Sequence, residues 1–470
     1  MLSNARNFYL LLIICAAVLI IPIILRANYN LGYPVGGEAY DSLRNAEYVY
    51  ENKRLPDADD YSYGGRIFIE EYGWPLTAGI SPKIMSRWLP LILGIISFIL
   101  FYLILKHTDK EISGIASLFL LLSPTFIYLF SVPLKYTMAV FLLLLGIYLH
   151  LKGKIKHSIF ILGIIGFFSF LTLIIVAVIY LFYTNKTKKW EDMLYLTLFV
   201  VITFILQFYK LLFLGSPESY FSIGEKSFSL IINKLFSDFG SKFGLSIFTV
   251  IVGLLGVYKK WREKYKFIAV YALITLIAVV AAYFEFLIFY LAFIIAVFAA
   301  YGFKALLDHN WRSLVLRHLI ILVIVCGAIF SSVSYMKSIP DFEPSKGIME
   351  GIAYLREQGG NEIVFSHHSR GRYISYARRT NFIDDNTLYA RNVNQRFRDS
   401  DKILHARNIS TATSIINKNN IGYIWLDKKL IEQLWGKTET ELIFLLRYSP
   451  DNFQKVFDNG EVEIYKYLKT

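Results

Sequence analysis

Apolar residues in this chain are gathered into runs long enough to cross a bilayer, and nothing else in the sequence restricts the fold as strongly. A span needs about 20 mostly apolar residues. Inside hydrocarbon, backbone polar groups must pair within the protein, which leaves helices or closed barrels. Runs of this kind fall at 8–25, 88–105, 112–130, 137–149, 193–214, 245–258, 267–284, 287–307 and 316–336. Only 18% of the 470 residues are charged, with 55% hydrophobic, whereas a soluble chain carries about a quarter charged residues. The continuous runs predict helices, and 17% aromatic residues exclude a disordered chain.

The stretch 159–183 reads either as one span or as two short halves that return to the side they left. Lys152, Lys154 and Lys156 precede it, and Lys186, Lys188 and Lys189 follow it. Basic loops lie on the cytoplasmic side, so both flanks belong there and the expectation is a hairpin. The next inner loop carries Lys259, Lys260, Arg262, Lys264 and Lys266 against Glu263. The remaining loops alternate from an N-terminus placed inside beside Arg6. No small-residue cleavage site follows 8–25, so that run is read as a span. Of the 49 basic and 36 acidic residues (net +13), eleven bases fall in these three loops against three acids. The positive excess is therefore largely a topology signal and gives no support to a nucleic-acid partner. Cys15 and Cys326 lie inside apolar runs and read as core thiols.

Three pieces lie on the outer side: the long loop 26–87, the loop 215–244, and everything after residue 336. The expected organisation is a transmembrane domain over 1–336 and an extracytoplasmic soluble α/β domain over 337–470. In that tail, Ile348, Ile352 and Leu355 share a helical face that ends at Gly359-Gly360. Strand-like runs at 362–366, 372–377, 421–427 and 461–468 are separated by helical stretches near 411–417 and 439–446.

The first outer loop carries nine acids. Glu38 and Asp41 are three apart and share a face if the segment is helical. From spacing alone two readings stay open: acids that solvate a loop, or a carboxylate that binds a divalent cation or acts as a general base.

The layout resembles the membrane-embedded type C (GT-C) glycosyltransferases, in particular the catalytic subunit of oligosaccharyltransferase. Glu38 and Leu43-Arg44 stand where that family has a first-loop acid and a Leu-Arg pair, and Asp59–Gly65 is similar to its later Asp-aromatic-Gly segment. Ser222-Ile223-Gly224-Glu225 resembles the T-I-x-E motif, with Phe239-Gly240 at the expected distance. Val364–Ile374 resembles the segment around W-W-D-Y-G, with His367, His368, Ser369 and Arg370 in place of Trp, Trp, Asp and Tyr and only Gly371 retained. Asp384-Asp385-Asn386 follows where the family has a short acidic element. Thr137 and Ala139 match positions at which the family keeps metal-holding acids, and Glu285 stands near a donor-facing Arg.

The resemblance implies a polytopic α-helical membrane protein of about 11 membrane segments, including a short hairpin, with a C-terminal soluble α/β domain. It further implies an inverting enzyme that moves a sugar from a polyprenyl-phosphate or polyprenyl-pyrophosphate donor to a protein or lipid acceptor at the outer membrane face. Glu38 and Glu225 would be the catalytic residues and the ligands of any divalent cation (Mg or Mn). Asp41, Arg44, Ser369, Arg370 and Arg372 would contact substrate. For Arg370, Arg372, Arg378 and Arg379 the residues themselves allow either a solvated face or a phosphate site. A non-catalytic lipid-glycan-binding or scaffold relative is the alternative, and a transporter a third. His367 and His368, read on a strand, would point to opposite faces. Asn408-Ile409-Ser410 fits an N-glycosylation acceptor. Walker, dinucleotide-binding, zinc-spacing and nucleophile-elbow motifs do not occur, so phosphate transfer from nucleotides has no support. A lipid-linked donor is expected because the acids lie on the side opposite the cytoplasmic nucleotide sugars.

Overall fold

The structure is a computed structural model that describes residues 5–29, 31, 34–187, 190–212, 233, 235–239, 241–261, 285–387, 390, 392–436 and 440–468. The chain divides into two compact units, one comprising Met1–Tyr29, Lys83–Ile205 and Ile223–Asp341, the other Asn30–Pro82, Leu206–Ser222 and Phe342–Thr470.

The first unit is helical. Among the described residues, five helices are long and apolar enough to cross a membrane, beginning at Arg6, Pro82, Trp190, Ile288 and Leu314. Their exposed faces carry large apolar side chains, including Ile13, Leu194 and Phe330, which a bilayer solvates and water does not. This is a multi-pass membrane protein. The run 112–130, expected as one span, is instead two helices, Ser113–Leu121 and Pro124–Ser131, bent by 67°. Ser123 is extended and Pro124 offers no N–H to continue the ladder, so the helix breaks there. The expected run 267–284 lies outside the described residues, so these helices do not fix the count of about eleven segments.

Between Lys135–Leu151 and Trp190–Phe208 the chain forms two further helices, Ile155–Phe168 and Phe170–Thr187. Gly163 faces Phe199 and Gly166 faces Thr203, so Ile155–Phe168 runs parallel to Trp190–Phe208. The helix between them must run back, and the chain reverses at Ser169. This is the hairpin that the two lysine-rich flanks predict. Elsewhere in the unit, a Cβ on Gly256 would lie 1.9 Å from the Phe298 carbonyl and one on Gly302 2.0 Å from that of Val252. Only glycine lets Ile247–Lys260 and Ile288–Leu307 approach this closely, a packing device common between membrane helices. Cys15 is buried as expected. Cys326 is exposed, because the helix Leu314–Ser338 buries only the stripe Gly327, Ala328, Ser331, Ser332 and Tyr335.

The second unit is built on a four-stranded sheet. Its order is Ile363–Phe365, Ile421–Asp427, Val462–Tyr467, Phe453–Asp458; the first pair is parallel and the others antiparallel. Every residue of Ile421–Asp427 is buried, as a central strand covered on both faces requires. Alternation divides its side chains between two cores. Ile424 and Leu426 join Phe365, Phe382, Ile403, Ile416 and Leu442 on one face. Tyr423 and Trp425 join Val364, Ile348, Ile352 and Leu355 on the other.

The long loop after the first span contributes to both cores, Tyr63 to the first and Tyr40 to the second. It is tied down by polar contacts across more than 300 positions. The Asn381 N–H donates to the Tyr61 carbonyl at 2.8 Å, and the Tyr63 N–H donates to Asn381 Oδ1 at 3.0 Å. Ser62 Oγ donates to Asp384 Oδ2 at 2.6 Å, and the Tyr63 hydroxyl to the Asp384 carbonyl at 2.7 Å.

Most of the tail follows the sequence pattern: helices Lys346–Gln358, Ile409–Lys418 and Glu441–Tyr448, and strands at 363–365, 421–427 and 462–467. The run 372–377 does not. It is a helix, Gly371–Tyr376, because it packs over residues 383–384 so closely that a Cβ on Gly371 would meet the Ile383 carbonyl at 2.3 Å. The strand Phe453–Asp458 has no counterpart in the sequence expectations.

Candidate active site

The helix Gly37–Asn52 carries most of the predicted residues. Gly36, at φ 85°, is its N-cap residue, and the Gly36 N–H donates to the Glu343 carbonyl at 2.8 Å. Gly37 has no Cβ where one would meet Arg372 Cδ at 3.3 Å. The stem of Arg372 therefore lies across the first turn of the helix. That places its Nη1 3.8 Å from Glu38 Oε1 while its Nε donates to Asp385 Oδ1 at 2.5 Å. The Glu38 side chain is 63% exposed and that of Arg372 16%. Burial opposes the Arg372 charge, but Asp385, Glu38 and Asp41 hold its pKa above the usual guanidinium value.

One turn further, Asp41 and Arg44 face inward. Arg44 Nη2 lies 2.6 Å from Asp41 Oδ1, and Arg44 also grips Asp59 through both Nη atoms, at 2.8 and 2.7 Å. Asp59 meets Arg66 at 3.4 Å, Arg66 meets Glu70 at 3.4 Å, and Glu70 accepts from the Asn45 amide at 3.0 Å. Burial alone would lift Asp59, yet Arg44 and Arg66 keep it below the ordinary carboxylate range. Asp384 goes the other way. Burial raises it, opposed by Arg66 and by the hydrogen bond from Ser62. Aspartates 59 and 384 thus differ in environment although both are buried.

The segment Val364–Ile374 places its polar residues differently from the expectation. Arg370 is buried and taken up by two carboxylates, Asp427 (Nε, 2.6 Å; Nη2, 3.1 Å) and Glu343 (Nη1, 2.5 Å; Nη2, 3.1 Å). Ser369 Oγ lies 2.9 Å from His367 Nδ1. His367 and His368 sit in a turn with ring centroids 3.9 Å apart, not on opposite faces of a strand. Burial first, then His368 and Arg370, push His367 down to about 4. The four arginines of the predicted cluster have separate partners: Arg378 pairs with Glu51, and Arg379 lies over the Tyr423 ring at 5.1 Å.

The structure therefore brings together Glu38, Asp41, Arg44 and Arg372, and sends Ser369 and Arg370 elsewhere. Glu225 lies outside the described residues, as does the Ser222–Glu225 motif, and so does the side chain of Glu285. Asp385 is the site residue that sequence reasoning missed; its signal was the short acidic element Asp384-Asp385-Asn386. No group of three or more His, Cys, Asp or Glu able to hold a metal occurs among the described residues. Thr137 donates its hydroxyl to the Leu129 carbonyl at 2.8 Å and Ala139 is buried, so neither offers a ligand. Among the described residues, Glu38 therefore has no second acidic ligand at these positions with which to hold a divalent cation.

No family model and no curated protein matches the chain. Solved structures do. An oligosaccharyltransferase from Archaeoglobus fulgidus, tethered to an acceptor peptide containing the NVT sequon, matches with a TM-score of 0.59 at 13% identity, over 98% of this chain and 74% of that one. The archaeal oligosaccharyltransferase AglB of the same organism, in complex with an inhibitory peptide and a dolichol-phosphate, matches with a TM-score of 0.55 at 13% identity, over 99% and 75%. ArnT from Cupriavidus metallidurans matches with a TM-score of 0.51 at 10% identity, covering 99% of each chain.

Proposed function

Taking the type C membrane glycosyltransferase fold of this chain as the premise, we propose that it transfers a sugar or glycan from a polyprenyl-phosphate-linked donor to a protein or lipid acceptor. The observation that carries the reading is the exposed carboxylate of Glu38 at the start of the first-loop helix, held beside Arg372 in a chain that matches the oligosaccharyltransferase fold over nearly its whole length. A peptide held in one of those structures and a dolichol-phosphate in another support a peptide acceptor and a lipid-phosphate donor.

Glu38 acts as the general base. The acceptor N–H or O–H attacks the anomeric carbon and its proton passes to the Glu38 carboxylate. The bond between that carbon and the phosphate oxygen breaks, and the lipid phosphate leaves with the electron pair, inverting the centre. Arg372, fixed by Asp385, keeps a guanidinium beside the carboxylate and near the departing negative charge. Glu225 orients the acceptor. The basic loops support an orientation with the N-terminus cytoplasmic and residues 337–470 on the opposite side, where lipid-linked donors meet their acceptors.

The test is a screen of radiolabelled lipid-linked sugars, read for transfer to peptide, lipid or water. General-base assistance contributes ~10²–10⁴-fold, so Glu38→Gln should lower turnover by at least the smaller factor. Transfer at the wild-type rate by Glu38→Gln would remove Glu38 from the mechanism. Binding of a lipid-linked glycan with no transfer under any condition, with or without Mg²⁺ or Mn²⁺, would favour the non-catalytic relative instead.

A further inference from the structure

The first unit contains a cavity of about 480 Å³ with walls almost wholly of hydrocarbon. It lies between the helices Pro82–Thr108, Lys135–Leu151, Phe170–Thr187 and Ile288–Leu307. Val140 and Leu151 mark its length along one wall, and eleven residues of helix rise roughly 16 Å. Half of a ~30 Å hydrocarbon core is about the same length. Ile147 and Ile179, both partly exposed, stand at its mouth. At one end the Thr172 hydroxyl lies 2.7 Å from that of Tyr290.

Such a space favours a hydrocarbon occupant. Apolar walls without partner atoms lose their dispersion contacts, and the destabilisation grows with the volume left unfilled. Water does not fill it either, since a buried water needs two to four polar partners. A hydrocarbon chain about one leaflet long matches these walls and this length.

The other end is basic. Where Leu105 and Leu151 close the cavity, the chain continues into Lys106 and Lys152, followed by Lys154 and Lys156. All four lysines are exposed, and none pairs with a carboxylate among the described residues. Lys106 and Lys152 lie over the Tyr102 and Tyr148 rings at 5.9 and 5.7 Å. Of the acids at this end, Asp109 accepts from the Tyr301 hydroxyl at 3.1 Å and Glu111 pairs with Lys304. Glu191 and Asp192 open the helix Trp190–Phe208 without an ion pair to any of the four lysines among the described residues. We infer that this cavity is a binding site for one acyl chain of an anionic phospholipid whose headgroup is held by Lys106, Lys152, Lys154 and Lys156. The site is built within the first unit and does not depend on the proposed transfer reaction.

The experiment uses the full chain in nanodiscs of dioleoyl-phosphatidylcholine, alone or with an equal amount of dioleoyl-phosphatidylglycerol. After extraction, native mass spectrometry counts the retained lipid. Each lysine near a bilayer surface favours an anionic lipid by roughly fivefold, so one phosphatidylglycerol should be retained per chain with at least tenfold preference. Replacing the four lysines by Gln should abolish the preference while leaving a lipid bound. Ile147→Trp should block the mouth and lose the lipid, with helicity by circular dichroism confirming that the variant is folded. Four results would each overturn the inference: equal retention of both lipids by the wild type, no retained lipid, an anionic preference that survives the four lysine substitutions or retention that survives Ile147→Trp, or displacement by added polyprenyl phosphate. The wild-type comparison decides the question even where a variant fails to fold.

Discussion

Arg44 stands where the family resemblance implies a substrate contact, but its surroundings make it a structural charge, and Asp59→Ala separates the two roles. The side chains of Arg44, Asp59 and Arg66 are 9%, 5% and 5% exposed. Removing Asp59 deprives Arg44 of a bidentate partner at 2.8 and 2.7 Å and Arg66 of a contact at 3.4 Å. Breaking a buried ion pair from one side costs about 3–5 kcal/mol. Here Asp41 still holds Arg44 at 2.6 Å, and Glu70 still meets Arg66 at 3.4 Å, so the lower end applies, about 3 kcal/mol. Every 1.4 kcal/mol is a factor of ten, so opening of this region should become roughly a hundred times more frequent. Hydrogen–deuterium exchange on the full chain in nanodiscs reads that directly, at amides 59–68 and 381–386. Arg44→Ala should open the same amides, and Arg44→Met with Asp59→Leu should recover part of the loss, since replacing both charges by apolar groups removes the unpaired one. Protection within threefold of wild type in Asp59→Ala would refute the reasoning, because the pair would then behave as a surface contact.

Three further outcomes are expected. Gly302→Ala places a Cβ 2.0 Å from the Val252 carbonyl, so the two helices must separate; a loss of about 1–3 kcal/mol should appear as a lower thermal midpoint in detergent. His367 is held down at about 4, while the unfolded chain titrates near 6.5. As pH falls from 6.5 towards 4 the unfolded state takes up a proton that the folded state refuses, so stability falls with a slope of at most about 1.4 kcal/mol per pH unit. Above 6.5 the contribution is flat, and thermal midpoints between pH 7.5 and 5 should show less slope in His367→Gln. Gly371→Ala should destabilise the second unit, since its Cβ would meet backbone at 2.3 Å, read as faster proteolysis of the 371–384 region.

What the sequence disclosed divides along physical lines. Membrane helices announce themselves through length and composition, and the lysines around 159–183 correctly imply a reversal that hydropathy alone leaves ambiguous. The central strand Ile421–Asp427 is a nearly continuous apolar run and was legible for that reason. The edge strand Phe453–Asp458 mixes buried and exposed positions without regular alternation and was not. Gly371–Tyr376 read as a strand because its buried residues suit either period, and only the approach of residues 383–384 decides for a helix. At the site, Glu38, Asp41 and Arg44 were visible through local spacing. Arg370 seemed available for phosphate because its partners, Asp427 and Glu343, lie 57 and 27 positions away. Such pairings leave no local pattern.

The loop that joins both cores of the second unit also sets a schedule for making the protein. Its partners Asn381 and Asp384 lie 318 to 322 residues downstream. At translation rates of about 5–20 residues per second, Tyr63 and Ser62 wait roughly 16 to 64 s for them to be synthesised. Through that interval Tyr40, Tyr63 and the Arg44–Asp59 pair have no core to enter, while later membrane segments are still being inserted. The nascent loop thus stays without its partners until late in synthesis, and truncation before residue 381 should leave it open to protease in an otherwise inserted protein.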